Sequence, residues 1–392
     1  MTWNEKPARC ARPAAGVRAV AFVLALGGCG GDAEEAAGDA GAGGTPGTGG
    51  TPGTGGTPGT GGTPGTGGTP GTGGTPGTGG TPGTGGCEVP DALPAVTGHA
   101  YYAVGDEVFR IETTAGAVPE NVSAALAAVA PGGRDRFVSA SADGAWIVMS
   151  TEKAGCGGEC LARVPADLSA VEAILAGGAE VYVEGGSAID STGDRVVFSA
   201  KGGPHEVDLW LTERAGEGFG APVLLTGDST YTFNNMPAMN RAGTHVVFDC
   251  GRNPYPEDGD TDACEVALDG TGFRRVVGPD TLPDARFDKV QNPHPGPDGL
   301  LFEASWPVDG DSPELIWRLP VCGGDPEPIG RAFPNAVSPC ALSDGRWVFL
   351  WLGRPGNDAG VHELTLASRT GELLGVLTPD VDVADIGLGC SD

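Results

Sequence analysis

The 392-residue chain carries little of what catalysis usually requires: 5 histidines, and 23 Lys+Arg against 51 Asp+Glu. No Gly-x-Ser-x-Gly elbow presents a serine for acyl transfer. No P-loop or dinucleotide fingerprint offers backbone amides to a phosphate. The formal net charge of −28 repels phosphate backbones and argues against a nucleic-acid partner. It also disfavours direct docking on anionic lipid. Long apolar runs are missing too. The run Ala19-Val20-Ala21-Phe22-Val23-Leu24-Ala25-Leu26 is too short to span a bilayer stably. Helical periodicity is scarce, with residues 122–130 as the best short segment. What remains is a chain of short strands and turns.

The first residues read as an export signal. Lys6, Arg9, Arg12 and Arg18 precede the apolar run, and small residues follow it. The ending Leu26-Gly27-Gly28-Cys29 resembles a bacterial lipobox, which implies cleavage before Cys29 and lipidation of that cysteine. Gly30 follows where an aspartate would signal inner-membrane retention, so the expected address is the cell envelope at the outer membrane, with the lipid as sole membrane contact. Residues 45–86 are seven uninterrupted copies of Thr-Pro-Gly-Thr-Gly-Gly. Nothing in them can be buried, so residues 29–86 are expected to form a disordered tether. A coil of 42 glycine-rich residues spans roughly 30–40 Å r.m.s.. The division expected is therefore signal 1–28, tether 29–86 and folded domain 87–392.

A single motif recurs through the folded domain. Ser191-Thr192-Gly193-Asp194 precedes the apolar run Arg195–Ser199. Ser141-Ala142-Asp143-Gly144, Arg241-Ala242-Gly243, Pro297-Asp298-Gly299 and Ser343-Asp344-Gly345 do the same before their own strands. A turn between antiparallel strands needs a residue that tolerates positive φ, and β-branched and aromatic residues suit the buried strand that follows. With Gly98 added, the glycines are spaced 46, 49, 50, 56 and 46 residues apart. Each interval holds four short strands, the period of a β-propeller blade. The first interval lacks its first strand, and residues 383–392 end at Ser391-Asp392, where the next turn glycine would follow. The expected fold is all-β: a six-bladed β-propeller closed by strand exchange between the C-terminal strand and the first blade, which hides the open edges. The Ser-x-Asp-Gly turn with its aliphatic-aliphatic-Phe strand resembles the WD-like repeats of TolB-type propellers. That resemblance covers about five turn–strand copies and implies a fold more than a task.

Eight cysteines follow Cys29, an even number in an exported chain, so disulfides are expected. Cys156–Cys160 and Cys250–Cys264 bracket local loops. Cys390 falls beside Gly98 if the ring closes, which favours Cys87–Cys390 and leaves Cys322 with Cys340. Glu257-Asp258-Gly259-Asp260-Thr261-Asp262 alternates carboxylates as calcium loops do, so Asp258, Asp260 and Asp262 are the candidate ligands and calcium the only cofactor suggested. The same composition suits a plain hairpin loop. The connections between blades open on one face and carry Arg136, Tyr182, Tyr231, Asn235, Arg286, Gln291 and Asn335, with His294 on a neighbouring inner strand. Aromatic, amide and guanidinium groups suit a protein, peptide or carbohydrate ligand; the alternative is that the aromatics plug gaps between blades. The function expected is a monomeric, non-catalytic binding or scaffold lipoprotein of the bacterial envelope. The rival is a metal-dependent lyase or lactonase with His294 as ligand on the axis.

Overall fold

The computed structural model describes residues 93–252, 261–283, 287, 289–305, 314–356, 361–379, 381–384 and 387–392. Cys29, the tether, Cys87, Asp258, Asp260 and Arg286 lie outside them. The regular structure of the described residues is nearly all strand, with one short α-helix at Val122–Leu126, where Asn121 caps the first turn, and one 3-10 turn at Pro279–Thr281.

The strands form antiparallel meanders in chain order. Asp135–Ala140, Trp146–Thr151, Cys160–Pro165 and Glu172–Ala173 make one, and Ala336–Ala341, Trp347–Leu352, His362–Ala367 and Leu373–Val376 make another. Ser187–Ile189, Arg195–Ala200, Asp208–Ala215 and Val223–Leu224 repeat the order. Two further sets begin at Phe233–Met239 and Lys289–Gly296, and a single parallel pair, Thr261 with Lys289, joins them into one sheet. The first set is completed from far along the chain: Gly389–Ser391 pairs antiparallel with His99–Val104, Ser391 opposite His99.

Strands in the middle of each set are buried on both faces, as in Trp347–Leu352, because each sheet is covered by its neighbours. The apolar core is accordingly divided. Val148 and Leu161 of one set pack with Val196 and Phe198 of the next. Tyr101 and Val108 pack with Ile147 and Val164, and Leu301 and Ile316 with Trp347 and Phe349. Ala100, Tyr102 and Ile111 meet Val348, Leu350 and Leu364, so the first set also packs on the last.

The repeated glycines behave as the turn chemistry requires, with one exception. Gly144, Gly193, Gly243, Gly299 and Gly345 all have positive φ, between 61° and 147°. Gly98 does not, because the chain is interrupted there and no hairpin has to be turned; a Cβ on Gly98 would instead lie 2.5 Å from the Ser391 carbonyl oxygen. Gly193 has both demands at once: φ is +73°, and a Cβ would lie 2.4 Å from the Trp146 ring of the preceding set.

The first strand of four sets carries a bulge that sequence periodicity did not show. The register shifts between Arg136 and Ser139, Asn235 and Ala238, Gln291 and His294, and Val337 and Cys340. At each shift one residue that is not glycine is left-handed: Phe137, Met236, Asn292 and Ser338, with φ of 50–51°. Proline follows three of them, at 237, 293 and 339. A residue without an N–H fits a bulge because the ladder asks nothing of it there.

Two of the expected disulfides are present, Cys156–Cys160 and Cys250–Cys264. The other pairings are corrected. Cys390 is joined to Cys340, and Cys322 is disulfide-bonded with a partner outside the described residues. Cys390 sits opposite Ala100, as the closing strand requires. Its side chain, however, points into the apolar contact with the last set, where Cys340 lies. The pleat of the strand decides the partner.

Candidate functional site

The first strands of all the sets converge on one axial cavity of about 500 Å³. Its wall is made by residues 137–140, 142, 186–191, 236–242, 292–297, 338–339, 341–343, 387–388 and 390–392. All four bulge residues lie on it. Left-handed residues other than glycine cost roughly 1–3 kcal/mol each and gather where function requires them.

Buried acids support two of these bulges. The N–H of Asn292 donates to Asp249 Oδ1 at 2.8 Å, and the N–H of Ser338 donates to Glu303 Oε2 at 2.8 Å. The Asn292 amide also donates to Glu303 Oε2 at 3.0 Å. Each acid lies on the second strand of the preceding set and takes a backbone donor that the bulge removed from the ladder. Burial, reinforced by the negative charge of Glu303, pushes the Asp249 carboxyl well above the usual carboxylate range, against the single hydrogen bond from Asn292. Asp249 and Glu303 were missed in the sequence; the only signal there was an acid directly after Phe248 and Phe302 in otherwise apolar strands.

Also on the wall, Asp392 ties three other sets together. Its carboxylate pairs with Arg241 and accepts from the Ser343 N–H at 2.9 Å, while its own N–H donates to the Ala142 carbonyl at 3.0 Å. Proline, alanine and serine make up half of the wall. Ser187 Oγ is buried there with no partner among the described residues.

His294 stands on this wall between Pro293 and Pro295. Its Nδ1 accepts from the Ala341 N–H at 3.1 Å, which leaves the proton on Nε2, 3.2 Å from Cys340 Sγ. One ligand atom from each of His294, Cys340 and Cys390 falls within 4.8 Å of the others. This donor set does not suit a metal as built. Both thiols are consumed in the disulfide, and a metal-bound Nε2 would put a proton on Nδ1, facing another N–H.

Burial lowers the His294 pKa to about 4, opposed by a backbone hydrogen bond at Pro295. The folded value lies below the unfolded one, so the stability this group contributes is present above about pH 6.5 and lost as the pH falls toward 4. Between pH 7 and pH 5 the loss is expected to be about 2 kcal/mol. Denaturant titrations at the two pH values, on the wild type and His294→Asn, check it. Equal pH dependence in both proteins would refute the assignment.

The residues expected to form a ligand face are divided by the structure. Tyr231 is buried, and its hydroxyl donates to Asp262 at 2.6 Å. Phe287 packs edge-on against Trp317, and Phe333 lies among Trp347, Phe349 and Trp351. These aromatics fill gaps between sets. Asn235 is buried and accepts from the Gly186 N–H at 3.3 Å. Arg136 pairs with Glu159 at 2.6 Å. Gln291 precedes a bulge, and Asn335 is left-handed with φ of 63°. Tyr182 is exposed, its hydroxyl on Glu180. Of that face, His294 reaches the axial wall. Asp262, the described member of the suggested calcium set, accepts from Tyr231 and pairs with Arg275 at 2.7 Å.

Meanders packed around an axial cavity define the β-propeller class. No family model matches the chain, and no curated protein matches its sequence. Among solved structures it is similar to TolB from Acinetobacter baumannii, with a TM-score of 0.55 at 12% identity over 76% of this chain and 68% of that one. Other likenesses are to a chain assigned as TolB from Agrobacterium tumefaciens (TM-score 0.48, 15% identity, 74% and 92% covered) and to a chain of a nidogen/laminin complex (0.46, 10%, 75% and 97%). At these identities the likeness concerns the fold, which is a TolB-like β-propeller. No helix among the described residues is long and apolar enough to cross a membrane.

Proposed function

We propose that this chain is an envelope-anchored binding propeller without catalysis of its own. In this reading six blades form a ring closed by the pairing of Gly389–Ser391 with His99–Val104, and the lipid on Cys29 holds it to the outer membrane through the glycine-rich tether. The ligand is a peptide or carbohydrate chain end that enters the axial cavity. The observation that carries the reading is the cavity wall itself. Four left-handed residues and a buried Ser187 hydroxyl, without a partner among the described residues, line a mostly apolar cavity of about 500 Å³. Apolar walls with a few fixed polar groups are how small ligands and chain ends are held. Closure is supported by the packing of Ala100, Tyr102 and Ile111 on Val348, Leu350 and Leu364.

The test is to fill the cavity. Ala238 is half-buried on its wall. Wild type and Ala238→Trp are to be compared on peptide and glycan arrays. Ligands that bind the wild type are expected to lose at least ten-fold in affinity with Ala238→Trp, while far-ultraviolet circular dichroism stays unchanged. Undiminished binding by the filled variant would place recognition away from the axis.

A further inference from the structure

We propose that the Cys340–Cys390 disulfide is a thiol-exchange site on the axial wall, which takes low-molecular-weight thiols, with Cys390 the sulfur attacked and Cys340 the sulfur that leaves. Three observations converge on it. Among the disulfides whose two partners are described, this one joins different sheets, from the closing strand Gly389–Ser391 to Ala336–Ala341; Cys156–Cys160 is a local loop and Cys250–Cys264 spans adjacent strands of one sheet. Cys390 lines the cavity, whereas Cys340 is fully buried behind it. The two sulfurs also face opposite chemistry. Cys340 Sγ lies 3.2 Å from His294 Nε2, which carries the proton because Nδ1 accepts from Ala341. Cys390 Sγ lies 3.4 Å from the carbonyl oxygen of Ala341.

Exchange rate depends on the stability of the departing thiolate. An imidazole N–H stabilises a thiolate on Cys340, and a carbonyl lone pair opposes one on Cys390. The attacking thiolate therefore bonds to Cys390, the bond to Cys340 breaks, and the electron pair leaves on Cys340 toward His294. A second equivalent of the external thiol then attacks the external sulfur of the mixed disulfide and releases the Cys390 thiolate. The external thiol is oxidised to its disulfide, and the protein disulfide takes up two electrons. The cavity admits a small thiol and excludes a folded reductase. Completed exchange unties the closing strand from Ala336–Ala341, which leaves the ladder to His99–Tyr101 as its sheet pairing.

Cys250–Cys264 is the internal reference: both cysteines are fully buried, and Cys250 Sγ faces the Asp262 carbonyl at 3.3 Å, with no imidazole beside it among the described residues. The experiment treats the native full-length chain with reduced glutathione, quenches with acid and N-ethylmaleimide, and maps peptides by mass. Glutathione is expected on Cys390 and maleimide on Cys340, at least ten-fold ahead of any modification of Cys250 or Cys264. The reverse labelling, or simultaneous loss of both disulfides, overturns the proposal. His294→Ala is expected to slow exchange about ten-fold, and His294→Asn, which keeps an N–H, to retain most of the rate. An unchanged or faster rate in His294→Ala overturns the role of the imidazole.

Discussion

Cys340→Ala with Cys390→Ala is expected to lower the stability of the domain by about 4 kcal/mol. The bond closes a loop with a sequence separation of 50, and a disulfide acts chiefly by restricting the unfolded chain. Cys156–Cys160, with a separation of 4, provides the contrast; its loss is expected to cost about 2 kcal/mol on the same reasoning. The larger figure has a second cause in the native state. Gly389–Ser391 makes three residue pairs with the first strand, a short ladder for a segment that completes a sheet. Urea titration of both double variants decides between them. A loss at Cys340–Cys390 no larger than at Cys156–Cys160 would mean that loop length and closure contribute little. Amide exchange adds a local readout, since the amides of residues 389–391 should lose protection before those of Trp347–Leu352.

Gly193→Ala should cost about 3 kcal/mol, roughly half from the left-handed backbone and half from the collision with Trp146. Trp146 cannot easily yield, because the Arg163 guanidinium lies 4.5 Å from its ring centroid and is itself buried. Gly105→Ala separates the two causes. Gly105 also has positive φ, at 60°, but an added Cβ would meet nothing within 4 Å. Its cost should be about 1 kcal/mol. Equal denaturation midpoints for the two variants would show that the neighbouring blade does not press on the turn. Tryptophan fluorescence of Gly193→Ala should report the displacement of Trp146.

The turn motif was legible because its cause is local: a hairpin needs a left-handed residue, and the sequence places glycine there at Gly144, Gly193, Gly243, Gly299 and Gly345. The strands after those glycines were legible for the same reason. The cysteine pairing was not. Sequence places Cys390 near the first strand, but the face it points to depends on the pleat, and that face looks at Cys340. The bulges were hidden because a Met-Pro, Asn-Pro or Ser-Pro pair inside a strand reads as interruption, whereas Met236, Asn292 and Ser338 turn the chain within a continuing strand. Composition alone put Tyr231 on a ligand face, whereas it is buried with its hydroxyl on Asp262. His294 had the right position for a reason the sequence could not supply, its hydrogen bond to Ala341 and its contact with Cys340.

The pairing of Ser391 with His99 also sets the order of events during synthesis. The edge of His99–Val104 emerges early and must wait for nearly the whole chain before its partner arrives. Until then it is an unpaired strand beside an uncovered apolar face, the combination most prone to pair with another molecule.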